Sequence, residues 1–224
     1  MRERIGVAVA ALAPVLVAGC FPAVLHGPQV EPGLRGSAVA SVATGPTYVE
    51  GDEGGIRLRN APIGLGVGHG WRAASDARPS LFVGAFVPVY FPVAQLDVYL
   101  QAPRAWTGGA AGGVGLNVGT EQATPYLQVG RVSARGTGWS TVQGWSVRRG
   151  SEFRSRSVAW VPGLVGHVGG ARTTLHVFAM GAVGREPGDC LTLPGSGREC
   201  RPGRRSRTLL GGAALEVHGR RDPD

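Results

Sequence analysis

The stretch Ile63-Gly64-Leu65-Gly66-Val67-Gly68-His69-Gly70-Trp71 decides the fold class. Its odd-numbered positions are large and mostly apolar, whereas each even-numbered position is glycine. Because successive side chains of a β-strand point to opposite faces, this period of two predicts a strand with one apolar face and one nearly bare face.

The same alternation recurs along the chain, and short glycine-rich turns separate the runs. No convincing helical periodicity follows residue 36, so the sequence predicts an all-β fold, an antiparallel up-and-down meander. The predicted strands cover 37–44, 62–72, 80–88, 92–101, 110–119, 124–134, 139–148, 155–168, 172–185 and 206–218. Pro88, Pro92 and Asp97 interrupt the apolar stretch 81–100, which argues against a transmembrane helix there. Whether that stretch makes one bent strand or two is open, so the prediction is a barrel of eight to ten strands.

Closure into a barrel leaves no free strand edge, and the barrel could lie in two environments. In a membrane barrel the apolar face meets lipid, and we expect this face to include Leu65, Val67, Leu116, Leu175 and Leu215. In a soluble lipocalin-like barrel the apolar face would instead surround a ligand. The first environment is favoured because the opposite face is rich in Gly, Gln, Asn and Tyr rather than in charged residues. Tryptophans near strand ends are also typical of a membrane barrel; they are Trp71, Trp106, Trp139, Trp145 and Trp160.

Residues 37–218 resemble small bacterial outer-membrane β-barrels. The clearest likeness is Gly113-Val-Gly-Leu-Asn-Val-Gly119 followed by Thr124-Pro-Tyr-Leu-Gln-Val-Gly130. The chain departs from that pattern at its end, since 217–224 lacks the terminal aromatic residue with which such barrels usually finish.

The first residues read as an export signal. A charged start, 1–4, precedes the uncharged run 5–19, which is too short to span a bilayer. The run ends in Val17-Ala18-Gly19-Cys20, which resembles the lipobox of bacterial lipoproteins. This resemblance implies cleavage before Cys20 and acylation of Cys20, so membrane lipid is an expected partner through the acyl chains. Phe21, where Asp would favour inner-membrane retention, implies the outer membrane of the cell envelope.

The predicted organisation has four parts. Residues 1–19 are a lipoprotein signal peptide, 20–36 a lipidated N-terminus and flexible tether, 37–218 the β-barrel domain and 219–224 a polar tail. The tether prediction follows from the prolines and glycines of this segment and its lack of periodicity.

Cys190 and Cys200 are the two cysteines left after Cys20. They flank a turn-rich loop in a chain expected to leave the cytoplasm, so we predict a disulfide between them. No histidine or further cysteine stands nearby at a metal-ligand spacing, and we expect no metal and no cofactor.

All 23 basic residues counted as Lys+Arg are arginine, and the formal net charge is +8. The densest group is a predicted anion-binding surface, formed by Arg198, Arg201, Arg204, Arg205 and Arg207. Its expected partner is lipopolysaccharide or another anionic envelope polymer, with a solvated basic loop as the alternative. No nucleic-acid partner is expected.

Motifs of catalysis are missing from the sequence: it has no Gly-Xaa-Ser-Xaa-Gly or His-Glu-Xaa-Xaa-His, and without lysine it has no P-loop. His167 and His176 flank Gly169-Gly170. A two-residue loop there would place Arg172 opposite His167, so we expect the histidines out of register. Asp97 is predicted to form a structural pair with an arginine such as Arg131, with a role as a catalytic acid as the alternative.

The expected function is a non-enzymatic, lipid-anchored outer-membrane barrel with a plugged lumen and a structural or surface-interaction role. The alternative is a tethered periplasmic module that binds an apolar ligand.

Overall fold

The computed structural model describes residues 26–46, 56–60, 63–89, 94–108, 110–119, 122–149, 156–186, 189–193, 197–201 and 204–219. The strands are β1 (Gly33–Pro46), β2 (Ile56–Asn60), β3 (Gly64–Trp71), β4 (Ser80–Pro88), β5 (Gln95–Gln101), β6 (Ala111–Val118), β7 (Gln122–Val132), β8 (Gly138–Arg149), β9 (Arg156–Gly169), β10 (Thr173–Glu186), β11 (Asp189–Leu193), β12 (Gly197–Arg201) and β13 (Arg204–His218). A 3-10 turn, Arg104–Trp106, lies between β5 and β6. Within these ranges no helix has the length and apolarity needed to cross a membrane.

Ten of the described strands, β1, β3 to β10 and β13, close into a barrel. Each pairs antiparallel with its neighbours in chain order, and β13 pairs with β1 from Arg35 opposite His218 to Thr44 opposite Leu209. The predicted all-β fold and antiparallel barrel are therefore confirmed, at the upper end of the expected strand count. The stretch 81–100 forms two separate strands, β4 and β5, which pair with each other.

The two ends of the barrel are named here after the ends of β1. The Gly33 end carries the connections 72–79, 102–110, 133–137 and 170–172, and β13 finishes there. At the Pro46 end, β2 pairs with the last residues of β1, and the β11–β12 hairpin lies between β10 and β13. The two longest connections between barrel strands, 47–63 and 187–203, are thus at the Pro46 end.

Alternation along the strands separates two very different faces. Leu65, Val67, Leu116, Leu175 and Leu215 are all exposed on the outer face, as the sequence pattern predicted. Glycines of the inner face make room for aromatic rings. A Cβ at Gly68 would overlap the ring of Phe82, and one at Gly115 would overlap the ring of Tyr126. The nearly bare face that the glycine pattern predicted is therefore the inner face, and inward-pointing aromatic rings occupy the space that the glycines leave there.

The segment before β1 lies inside the barrel, and residues 26–32 are called the plug from here on. His26, Pro28 and Val30 are buried. Gly33 turns the chain from the plug into β1 with φ +100°, a conformation that favours glycine. Gly70 leaves room for the plug, since a Cβ there would overlap the Glu31 carbonyl oxygen.

The expected flexible tether over 20–36 is wrong for its described part, 26–36. Residues 26–32 lie inside the barrel, and residues 33–36 already belong to the wall, because β1 begins at Gly33, four residues before the predicted strand. The physical reason is that lumen side chains satisfy the backbone of the plug, which the sequence pattern alone did not reveal.

The interior has two layers. Towards the Pro46 end it is apolar, with Val39, Phe86 and Ala214 buried together and Phe178 packed against them. Towards the Gly33 end it holds the plug and most of the buried polar side chains. The apolar layer closes the half of the lumen that the plug does not reach.

Candidate functional site

The lumen holds the plug by its backbone. The Val30 N–H donates to Gln101 Oε1 at 2.6 Å, and the Tyr99 hydroxyl donates to the Pro28 carbonyl at 2.9 Å. Arg35 Nη2 donates to the Glu31 carbonyl at 2.5 Å. These bonds replace the water contacts that the plug's polar groups would lose on burial, so insertion leaves them satisfied.

His26 is the plug residue with the most side-chain partners. Its ring packs against Phe82 and Tyr99, with centroid distances of 4.7 and 4.4 Å. Its Nε2 lies 3.0 Å from the Tyr126 hydroxyl and 3.3 Å from Asp97 Oδ2. Tyr126 in turn donates to Asp97 at 3.0 Å, which makes one buried group of three polar side chains.

The predicted pairing of Asp97 with Arg131 is wrong. Asp97 occupies an inner position of β5 and is buried, whereas Arg131 is exposed near the Gly33 end of β7. Strand alternation puts the two residues on opposite sides of the wall. The plug and Tyr126 supply the partners of Asp97 instead.

A second buried chain of polar groups runs across β8, β9, β10 and β13. Ser140 Oγ lies 2.8 Å from His167 Nε2, and His167 Nδ1 lies 2.7 Å from His176 Nδ1. His176 Nε2 lies 2.8 Å from Glu216 Oε2, and Arg35 Nη1 donates to Glu216 Oε1 at 2.8 Å.

One arrangement of protons allows every hydrogen bond in this series of polar groups to form while both imidazole rings are neutral. The Ser140 hydroxyl donates to His167 Nε2, His167 Nδ1–H donates to His176 Nδ1, and His176 Nε2–H donates to Glu216. Glu216 then carries the negative charge that Arg35 neutralises. Since Arg35 also contacts the plug at Glu31, the chain connects the wall to the plug.

The register predicted for the two histidines is wrong. His167 lies directly opposite His176, because the turn closes with a Gly170 N–H bond to the Thr173 carbonyl at 2.7 Å. The two loop residues are therefore Ala171-Arg172 rather than Gly169-Gly170, and this displacement of the turn by two residues moves the two histidines into register.

The described interior offers little room for a substrate or a ligand. A cavity beside Arg35, Phe86 and Glu216 has about 20 Å³, and one beside Gly27 and His167 about 10 Å³. Volumes of this size accommodate at most a single water molecule, whereas ligand pockets usually exceed about 300 Å³. The hydrogen-bonded series Ser140, His167, His176 and Glu216 contains a serine, a histidine and an acid, the residue types of many hydrolase active sites. Ser140 is nevertheless fully buried, and the other side chains of the series are hydrogen-bonded to one another. The arrangement therefore joins the wall to the plug.

No metal centre emerges from the described residues, which contain no group of three or more His, Cys, Asp or Glu side chains placed to hold an ion. Cys20, the predicted acylation site, lies outside the described residues.

Backbone register places Cys190 directly opposite Cys200 in the β11–β12 hairpin. Opposed residues of an antiparallel pair have Cα atoms about 4.5–5.5 Å apart, within the range that a disulfide spans. The bond itself stays a prediction.

The predicted anion-binding arginines are all at the Pro46 end. Arg198 and Arg201 are on β12, and Arg204, Arg205 and Arg207 are on β13. Arg207 is exposed. Their binding of an anion stays a prediction.

Sequence reasoning missed the residues that hold the interior together, above all His26, Arg35 and Glu216. A signal was available for one of them: Glu216 is the one acidic residue of the predicted strand 206–218 and lies between the apolar Leu215 and Val217. The partnership of Glu216 with Arg35 could not be read from their separation of 181 residues.

Neither a protein-family model nor a curated protein matches this chain in sequence. Its function is therefore inferred from its own residues.

Proposed function

We propose that this protein is a lipid-anchored, membrane-inserted β-barrel of the outer membrane with a closed lumen and a structural or surface-interaction role rather than an enzymatic one. The observation that carries the proposal is the polarity of the barrel wall. Charged side chains such as Arg35, Asp97 and Glu216 are buried inside, whereas Leu164 and Val177 are more than half exposed on the outside, at 55% and 53%.

This polarity is the reverse of that of a water-soluble barrel. Among the described residues, charged residues at outer positions of barrel strands are found only towards strand ends, for example Arg131 and Arg207. The outer surface is thus an apolar belt to which every barrel strand contributes an exposed large apolar side chain, whereas exposed apolar patches on soluble monomers are usually limited to a few hundred Å². Lipid acyl chains are the environment that such a belt fits.

Exposed tryptophans border the belt on both sides. Trp139 lies near the Gly33 end of β8, and Trp145 and Trp160 form a cross-strand pair nearer the Pro46 end. Trp160 Nε1 donates to Gln143 Oε1 at 3.0 Å, which satisfies the indole N–H. An indole ring suits the membrane interface because one side is apolar and the other can donate a hydrogen bond.

A closed lumen supports a structural or surface role. The plug lies in the lumen at the Gly33 end and an apolar layer lies towards the Pro46 end, and the two cavities described inside the barrel are of water size. A transported solute or a bound apolar ligand would have no space there. The alternative of a periplasmic ligand carrier is therefore less well supported than the membrane barrel.

The anchor and the location follow from the leader. Val17-Ala18-Gly19-Cys20 supports acylation of Cys20, and Phe21 supports sorting to the outer membrane. The long connections at the Pro46 end support an outward orientation of that end, since extracellular loops of outer-membrane barrels are the longer ones. The Arg198–Arg207 surface would then face lipopolysaccharide.

Two substitutions on one strand test the membrane proposal. Leu164 and Val158 are both exposed outer residues of β9, but Leu164 lies between the levels of Trp160 and Trp139, whereas Val158 lies beyond Trp160. We expect Leu164→Arg to lower the free energy of unfolding in lipid vesicles by about 2–4 kcal/mol and Val158→Arg by about 0–1 kcal/mol. Equal losses for the two variants, measured by urea unfolding, would argue for a barrel surrounded by water.

A further inference from the structure

Three arginines from two neighbouring connections meet at the Gly33 end of the barrel. Arg72 and Arg78 belong to the β3–β4 connection, and Arg104 belongs to the β5–β6 connection. Together with Gln29 of the plug they line one recess, beside Ser80 and Gln101 at the mouth of the lumen. We call this the three-arginine recess.

The guanidinium groups of this recess have no partner among the described residues. Arg72, Arg78 and Arg104 make no salt bridge and no side-chain hydrogen bond there, whereas Arg35 inside the barrel donates from Nη1 to Glu216 and from Nη2 to the Glu31 carbonyl. Asp76 is the one acidic residue that lines the recess. The recess therefore carries an excess of two positive charges.

Such a gathering of like charges raises the energy of the folded protein unless an anion shares the site. A guanidinium group presents a planar fork of N–H donors that matches the oxygens of a phosphate group. Arg72 and Arg78 are exposed and Arg104 is half-buried. The enclosed part of the recess measures only about 20 Å³, so a bound anion would lie over its open side, against these guanidinium groups, and not inside it.

We infer that the three-arginine recess binds the phosphate group of an anionic ligand at the mouth of the plugged lumen. Gln29 lines the same recess, so a bound phosphate would contact the plug as well as the two connections and would stabilise the closed lumen. This inference does not require membrane insertion, since the recess faces the mouth and not the apolar belt.

The phosphate group could come from two sources. Trp71 directly precedes Arg72, and Trp106 closes the turn that begins at Arg104; both indoles are exposed, at 51% and 79%. Aromatic residues at this level favour a membrane interface, which would bring the headgroup of an anionic phospholipid within reach. A soluble phosphate from the surrounding medium is the other source.

Calorimetric titration of the full mature chain in a non-ionic detergent, at constant ionic strength, tests the site. Inorganic phosphate is the first probe, and we expect the variant Arg72→Gln/Arg78→Gln/Arg104→Gln to bind it at least about tenfold more weakly than the wild type. Arg172→Gln removes an exposed arginine from the same end of the barrel, outside the recess, and should leave the affinity unchanged. Asp76→Asn removes the carboxylate from the recess and should tighten binding.

The short-chain lipids dihexanoyl phosphatidylglycerol and dihexanoyl phosphatidylcholine distinguish the two sources. Tighter binding of the anionic lipid than of inorganic phosphate assigns a lipid headgroup, and equal or weaker binding assigns a soluble anion. Should the triple variant lose its β-sheet circular dichroism, each single Arg→Gln variant is compared in its place. Wild-type affinity in the arginine variants, or no phosphate binding by the wild type, would overturn the inference.

Discussion

His167 and His176 lie directly opposite each other on β9 and β10, and their Nδ1 atoms are 2.7 Å apart inside the barrel. This contact joins two hydrogen-bonded pairs, Ser140 with His167 and His176 with Glu216, into one series of polar side chains across four strands. Arg35 extends this series to the plug through Glu31. The interior is therefore one connected polar structure, and disturbing one member affects both the wall and the plug.

Glu216→Leu should destabilise the barrel by about 3–5 kcal/mol, because it leaves Arg35 as a buried charge without a partner. The double variant Arg35→Met/Glu216→Leu should recover much of that loss, since no uncompensated charge remains. The single variant Arg35→Met completes the cycle, and urea unfolding in lipid vesicles, followed by tryptophan fluorescence, measures the free energies of the wild type and of the three variants. Strictly additive losses in the double variant would mean that Arg35 and Glu216 do not act as a pair.

Gly70→Val should displace the plug, because the added Cβ overlaps the Glu31 carbonyl oxygen. The readout is maleimide labelling of a cysteine introduced as Val30→Cys, in a protein whose own cysteines are replaced by Cys20→Ala, Cys190→Ser and Cys200→Ser. Val30 is buried, so its replacement should resist maleimide labelling in the parent and become reactive with Gly70→Val. Gly36→Val is the matched control, since nothing lies within 4 Å of a Cβ at Gly36. Resistance of the Gly70→Val protein to labelling would mean that the position of the plug does not depend on the space left by Gly70.

The strand pattern was predictable from the sequence, and the interior was not. The alternation in Ile63–Trp71 depends only on the period of a strand, so it correctly indicated which side chains of β3 face outward. The plug has no such period, and its Pro28 and Pro32 are equally compatible with a solvated tether. Its burial depends on hydrogen bonds with Tyr99, Gln101 and Arg35, which become neighbours only when the barrel closes.

The contact between His167 and His176 illustrates a second limit to predicting the interior from the sequence. Two-residue turns at Gly169-Gly170 and at Ala171-Arg172 are both possible in this stretch, but they give different strand registers. The hydrogen bond between Gly170 and Thr173 selects the second turn, and only then do His167 and His176 meet. The sequence does not determine the position of this turn, and for that reason the buried hydrogen bond between the two histidines could not be predicted from it.

Cys190 and Cys200 should be bonded in the mature protein. Their opposed positions in the β11–β12 hairpin satisfy the backbone requirement, and closing so short a loop would contribute about 3 kcal/mol by the chain-entropy model. Alkylation of the unfolded protein without reductant should label neither cysteine, and alkylation after reduction should label both. Quantitative labelling of both thiols before reduction would refute the bond.

Cys20→Ala should abolish acylation of the protein, because the thiol is the predicted site of diacylglycerol attachment. Metabolic labelling with radioactive palmitate measures this directly, with the wild type as the positive control. Undiminished label in the Cys20→Ala protein would contradict the predicted anchor. The outcome does not bear on whether the barrel itself crosses the membrane.

Alkaline carbonate extraction of membranes that contain the Cys20→Ala protein tests the central claim most directly, because this variant has no acyl chains to hold it. If the apolar belt around Leu164 and Val177 lies in lipid, the protein stays in the membrane pellet, and its electrophoretic mobility changes when the sample is boiled. Complete release into the soluble fraction, together with saturable binding of an apolar dye, would contradict a membrane-inserted barrel.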